Sequence, residues 1–178
     1  MNKINIFFLI KNHISSFKNE DSDSLSKSDI FFHLIFPIIA SGTICFLFKV
    51  MPSSVVGIMV NFGAITTALL MSAVVMVYDQ KSKLIDKKDN ETIADKITSY
   101  LKHINLYKEL CHNICYAILT SILIVILSAV ISFYDSKINT GFSYYFFITC
   151  SFFCYSLFIS TMITFLMILK RFSIILDN

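Results

Sequence analysis

Few side chains in this chain are able to do chemistry, and their spacing limits what that chemistry is. Cys111 and Cys115 stand one helical turn apart, with His112 between them and His103 two turns earlier. Thiolate and neutral imidazole are ready ligands for a divalent transition metal, but a structural zinc site takes four such donors, usually as two paired motifs. One pair leaves the set incomplete, so no metal site is expected. Cys45, Cys150 and Cys154 lie inside apolar runs, where a thiol packs as a small hydrophobe. No glycine-rich phosphate loop, H-E-x-x-H or G-x-S-x-G sequence occurs. The chain is therefore expected to be no enzyme and to hold no cofactor.

The remaining chemistry is hydrogen bonding in an apolar setting. Four segments, about 30–48, 55–78, 114–134 and 142–169, contain no Asp, Glu, Lys or Arg. Ion- or proton-coupled carriers generally keep an ionisable group at membrane depth, which argues against that class. Asn61 is the one carboxamide in these segments. It falls in a stripe of small residues with Gly57, Ala64, Ala68 and Ser72. The third segment carries Ser121, Ser128 and Ser132, and the fourth Thr149, Ser156, Ser160 and Thr164. Small and hydroxyl faces allow close helix approach and interhelical hydrogen bonds. Gly57, Asn61, Ser72, Ser121, Ser128, Ser156, Ser160 and Thr164 are thus candidates either for helix packing or for lining a narrow pore in a homo-oligomer. A neutral lining of this kind would select weakly among ions.

The elements that must position these residues follow from composition. Of 178 residues, 56% are hydrophobic and 15% charged, and the mean hydropathy is +0.71. A soluble domain would hold about 25% charged residues. Crossing about 30 Å of hydrocarbon takes about 20 apolar residues, a length the later three segments clear and the first approaches. The predicted fold is an all-α polytopic membrane protein with four transmembrane helices. Thirteen of the 15 Lys and Arg residues lie before the first span, between the second and third, or after the fourth; only Lys49 and Lys137 lie elsewhere. Because cytoplasmic loops retain Lys and Arg, both termini are expected in the cytoplasm of a bacterial inner membrane. No signal peptide is expected, since 4–10 is too short and lacks a cleavage site. With a net charge of only +3, a direct nucleic-acid role has no compositional support.

Residues 1–29 are expected to form a cytosolic amphipathic helix over 2–18, then a polar linker with Asp29 as N-cap of the first span. Ile6, Ile10, Ile14 and Phe17 form the apolar stripe of that helix. It either lies in the headgroup plane or docks on the protein's own cytosolic part. The short 49–54 turn predicts the first two spans as an antiparallel pair, with Ser53 or Ser54 capping the second. Residues 79–112 are expected to form a cytosolic helical hairpin. It would turn at 87–90 and restart near Thr92 with Asp95 completing a weak capping box. Its lysines Lys87, Lys88, Lys96 and Lys102 are candidates for binding a cytosolic protein partner. Tyr78, Tyr116, Tyr134, Tyr144 and Tyr145 are expected interfacial anchors.

The stretch Phe62–Leu84, FGAITTALLMSAVVMVYDQKSKL, followed by a charged amphipathic helix and another span, resembles small multi-span membrane proteins of bacterial phage-defence and abortive-infection systems. Its order of apolar hairpins and basic loop is similar to that of the phage Rex exclusion membrane proteins. The likeness covers the layout of about 30–170 and carries no diagnostic motif. The loop also holds Asp86, Asp89, Glu91, Asp95 and Glu109, where a strongly basic pattern would exclude them. The resemblance implies a membrane sensor or permeabilising effector. The other functions compatible with the layout are an immunity protein against a pore-forming bacteriocin and a non-catalytic assembly subunit.

Overall fold

The computed structural model describes residues 6–15, 31–134 and 140–176. Among these residues the chain is helical, with short connections and no strand. The ends of the predicted 2–18 helix, the 19–28 linker, Asp29 and most of the segment 135–141 between the last two spans lie outside the described residues. Helix α1 runs Ile6–Ser15. A π-helical turn, Phe31–Ile35, leads into α2, Phe36–Phe48. Pro37 sits in the first turn of α2, at the junction with the π-helical turn. The long helices are α3, Ser53–Asp89, α4, Ala94–Ile131, and α5, Phe142–Leu176. Phe31–Phe48 and the three long helices are long and apolar enough to cross a membrane, the pattern of a multi-pass membrane protein. At 1.5 Å per residue, the 37 residues of α3 and 38 of α4 extend to about 56 Å each, well beyond about 30 Å of hydrocarbon. The surplus is a helical hairpin at one end of the bundle.

The caps differ from those expected. Neither Ser53 nor Ser54 caps α3. Pro52 is the extended residue before it, and the Pro52 carbonyl accepts from the N–H groups of Val55 and Val56 at 3.0 and 3.1 Å. Helix α3 persists to Asp89, and the Asn90 side chain closes it by donating to the Asp86 carbonyl at 2.8 Å. Lys87 and Lys88 in that last turn suit the negative end of the helix dipole. No Thr92–Asp95 capping box forms. Instead the Glu91 carboxylate accepts from Thr92 N and Ile93 N at 3.1 and 3.3 Å. Those backbone bonds hold its carboxyl below the usual carboxylate range.

Helix α4 is the centre of the bundle. Leu110, Asn113, Ile114, Ala117, Thr120, Ser121, Ile124, Ser128 and Ile131 are its buried residues. They recur at intervals near three and four, the spacing of a seam between packed helices. Helix α3 lies along one side of α4 and α5 along another. The predicted pairing of the first two spans is not what forms: α2 packs against α5 rather than α3. The link explains the difference. Lys49 ends α2 with φ 57°, and Val50 and Met51 turn into the core. The Met51 amide donates to Ser151 Oγ on α5 at 3.1 Å. Four extended residues reach about 13 Å, more than one interhelical spacing of about 8–10 Å, so a short link does not force adjacent packing.

The α3–α4 approach is set by Gly63. A Cβ at that position would meet Val125 Cγ2 at 2.6 Å and the Ser121 carbonyl oxygen at 2.8 Å. Apolar packing is divided between two clusters. One, away from the hairpin, gathers Cys45, Met51, Val56, Met59, Ile124 and Ile131 with Cys150, Cys154 and Tyr155. The other, toward the hairpin, gathers Leu70, Val77, Leu110, Ile114, Ala117 and Ile168.

Candidate functional site

The apolar stripe of α4 is interrupted by polar residues, and those at the hairpin end meet side chains from three other segments. Asn113 is fully buried, and its Oδ1 lies 2.9 Å from Nδ1 of His13. The His13 ring is stacked on Tyr116 with centroids 3.8 Å apart and planes 6° from parallel. His33, in the π-helical turn, meets His13 edge-on at 5.8 Å. The Tyr116 hydroxyl lies 3.2 Å from Ser160 Oγ on α5. Beside this cluster, Arg171 of α5 pairs with Glu109 of α4 at 3.0 Å, with the arginine side chain 12% exposed. The site therefore joins α1, the start of the first span, α4 and α5.

His13 is 3% exposed. Burial pushes its pKa down to about 4; the Asn113 bond acts against the shift, and the charges of His33 and Arg171 act with it. At neutral pH the ring is uncharged, and donation from Nδ1 to Asn113 fits that state. His112, one turn nearer the hairpin than Tyr116, is also held below the ordinary imidazole range, by burial and by Lys108, Lys81 and Arg171. The hairpin end of the bundle thus disfavours added positive charge.

Deeper in the bundle some polar groups meet across α4 and α5, while Ser121 Oγ is buried without a hydrogen-bond partner. Thr161 Oγ1 lies 2.8 Å from Thr120 Oγ1 and 2.7 Å from the Leu157 carbonyl. Ser128 Oγ lies 3.4 Å from Cys154 Sγ. Thr164 donates to the Ser160 carbonyl at 2.9 Å. Of the sequence-predicted residues, Ser121, Ser128, Ser160 and Thr164 are therefore buried inside one copy of the chain, and Ser156 is half-buried. They form packing contacts between helices rather than a surface. Gly57, Asn61 and Ser72 do the opposite. All three are exposed on α3; nothing lies within 4 Å of a Cβ built at Gly57. Ser72 bonds only the Ala68 carbonyl of its own helix, at 3.4 Å. The predicted face is thus split by the packing.

The predicted lysines are also divided. Lys88 and Lys96 are at the hairpin tip, paired with Asp89 and Glu91 at 3.0 and 3.6 Å. Lys87 is exposed on the last turn of α3. Lys102 lines a groove of about 560 Å³ with Ser99, His103, Asn105, Leu106, Glu109 and Ile174. No group of three or more His, Cys, Asp or Glu residues suited to a metal occurs among the described residues.

His13, Asn113 and Arg171 were not singled out by sequence. A signal existed for two of them. His13 continues the Ile6, Ile10 series at the next helical interval, and Asn113 falls on the buried α4 stripe. Tyr116, expected as an interfacial anchor, forms the floor under His13. No protein-family model, curated protein or solved structure matches the chain. What fold and site define is an all-helical protein with four membrane-length helices and a polar cluster where its amphipathic helix joins the bundle.

Proposed function

We propose that the protein is a component of a bacterial inner membrane that changes membrane permeability in response to a signal received on its cytosolic side, in the setting of anti-phage defence. In this reading both termini and the hairpin are cytosolic. The observation that carries it is the exposed stripe on α3. Asn61 stands eight residues into that helix, about 12 Å along its axis and well within about 30 Å of hydrocarbon. A carboxamide exposed to lipid is unfavourable by several kcal/mol when unsatisfied, of order 2–7 kcal/mol. Gly57, Ala64, Ala68 and Ser72 flank it, all exposed. Association of copies through α3 gives Asn61 hydrogen-bond partners and places a narrow polar lining between them. Ser121, Ser128, Ser160 and Thr164 are buried within each copy, so α3 supplies the lining.

The test is membrane potential, read with a voltage-sensitive dye during induced expression with and without phage infection. Depolarisation in either condition, lost in Asn61→Leu at equal membrane abundance, is the expected result. A potential unchanged in both conditions would overturn the permeability reading and leave the immunity or assembly functions. Depolarisation retained by Asn61→Leu would remove α3 as the lining.

A further inference from the structure

Two of the five cysteines differ from the other three in place and in company. All five are free thiols. Cys45, Cys150 and Cys154 are buried in the apolar cluster away from the hairpin. A thiol in such surroundings packs as a small hydrophobe and reacts slowly, because the thiolate is the nucleophile and burial disfavours it. Cys111 and Cys115 lie at the other end, both half-buried, where α4 passes from the hairpin into the bundle. They stand one helical turn apart on one face of α4, and their thiols are in hydrogen-bond contact, with Cys115 donating to Cys111. Lys81 of α3 brings a positive charge to the same place. The Cys115 bond outweighs burial and, with Lys81 acting the same way, brings the Cys111 pKa down to about 6. At neutral pH the Cys111 sulfur is then mostly thiolate, with a second thiol alongside it.

We propose that Cys111 is a peroxide-reactive thiol, resolved by Cys115 through a disulfide within one turn of α4. In the first step an electron pair of the Cys111 thiolate attacks one peroxide oxygen. An S–O bond forms, the O–O bond breaks, and the departing hydroxide takes a proton and leaves as water. The sulfur is oxidised by two electrons to a sulfenic acid and the peroxide is reduced. In the second step the Cys115 sulfur attacks the Cys111 sulfur. The S–S bond forms, the S–O bond breaks, and the hydroxide leaves as water with the Cys115 proton. One peroxide and two thiols thus give one disulfide and two waters. Cβ atoms one turn apart on a helix are separated by about 5–6 Å, whereas a disulfide draws them to about 3.5–4.5 Å. Closure must therefore distort α4 at the point where the hairpin joins the bundle. A bridge strained in this way is readily reduced, which makes the modification reversible.

The three buried cysteines supply an internal control. The full chain in lipid nanodiscs is exposed to dilute hydrogen peroxide at about pH 7.5, where an ordinary thiol of pKa about 8.5 is about one-tenth ionised. The thiols that remain are alkylated after denaturation, and peptide mass spectrometry reads each cysteine. Cys111 and Cys115 should be lost together, at least about tenfold faster than Cys45, Cys150 or Cys154, and a dithiol reductant should restore both. In Cys115→Ser, whose hydroxyl still donates to Cys111, a sulfenic acid should persist at Cys111 and be captured by dimedone. In Cys111→Ser the loss of Cys115 should slow about tenfold, to the rate of an ordinary thiol. Equal loss of all five cysteines in the unaltered chain would overturn the proposal. A sulfenic acid accumulating at Cys111 beside an intact Cys115 thiol would do the same, as would a loss that the reductant does not reverse. Thiol oxidation reads this pair whether or not the protein conducts, so failure here is separable from failure of the permeability reading.

Discussion

Replacing Gly63 by Ala tests the closest approach in the bundle. The added methyl would sit 2.6 Å from Val125 Cγ2 and 2.8 Å from the Ser121 carbonyl oxygen, about 0.8 and 0.6 Å short of ordinary van der Waals contact near 3.4 Å. The valine methyl has some freedom, whereas the carbonyl belongs to the backbone of α4, so α3 and α4 must separate. Overpacking of this kind costs about 1–3 kcal/mol. Ala is also favoured over Gly in a helix by up to about 1 kcal/mol, which would mask part of the loss. Gly57→Ala supplies the control. It sits on the same helix with open space around it and should receive the propensity gain alone. The stability difference between the two variants should then be about 1–3 kcal/mol, or about 5- to 150-fold in the unfolding equilibrium. Reversible unfolding in mixed micelles, followed by circular dichroism, gives that difference. Adding Val125→Ala to Gly63→Ala should recover only part of it, because the backbone contact remains. A Gly63→Ala protein as stable as Gly57→Ala would refute the close α3–α4 contact and the packing argued from it.

Thr161→Val removes the hydroxyl beside Thr120 and should destabilise the bundle by about 0.6 kcal/mol, at most about 1.7, in the same unfolding assay. Ser151→Ala leaves the buried Met51 amide without its acceptor. It should cost about 1–3 kcal/mol and speed exchange of that amide, since the link between α2 and α3 is tied down there. Glu91→Gln should loosen the start of α4 by weakening the acceptor for Thr92 and Ile93. Because the Glu91 carboxyl is held below its ordinary value, its contribution is full above about pH 4.5 and fades as pH falls through the lowered value. Exchange at residues 94–98 should show that acid dependence in the unaltered chain and lose it in the variant.

How far the sequence reaches depends on the kind of signal. Four membrane-length helices and a hairpin between the second and third were legible, because a 20-residue uncharged run and its charged flanks are one-dimensional facts. The α3 stripe was legible as a stripe, but nothing local says which way it faces. That depends on which helix comes to lie beside α3. The same limit applies to Ser121, Ser128, Ser160 and Thr164, which looked equivalent to Ser72 and are instead buried in the bundle. The capping at Glu91 was missed because Thr92 and Asp95 have the spacing of a capping box, and that spacing drew the helix start to Thr92.

The order of packing was decided only in three dimensions. A four-residue link is equally compatible with α2 against α3 or against α5, and the choice came from Val50 and Met51 entering the core and from the Met51–Ser151 bond. The polar cluster is a further step from sequence, since His13 and Asn113 lie 100 positions apart. Hydrophobic periodicity marks which face of a helix is buried, but not what it is buried against. The length and apolarity of each helix belong to the sequence. The pairing of an imidazole on a short amphipathic helix with an amide inside the bundle belongs to the tertiary structure, because only there are the two elements brought within a hydrogen bond of each other.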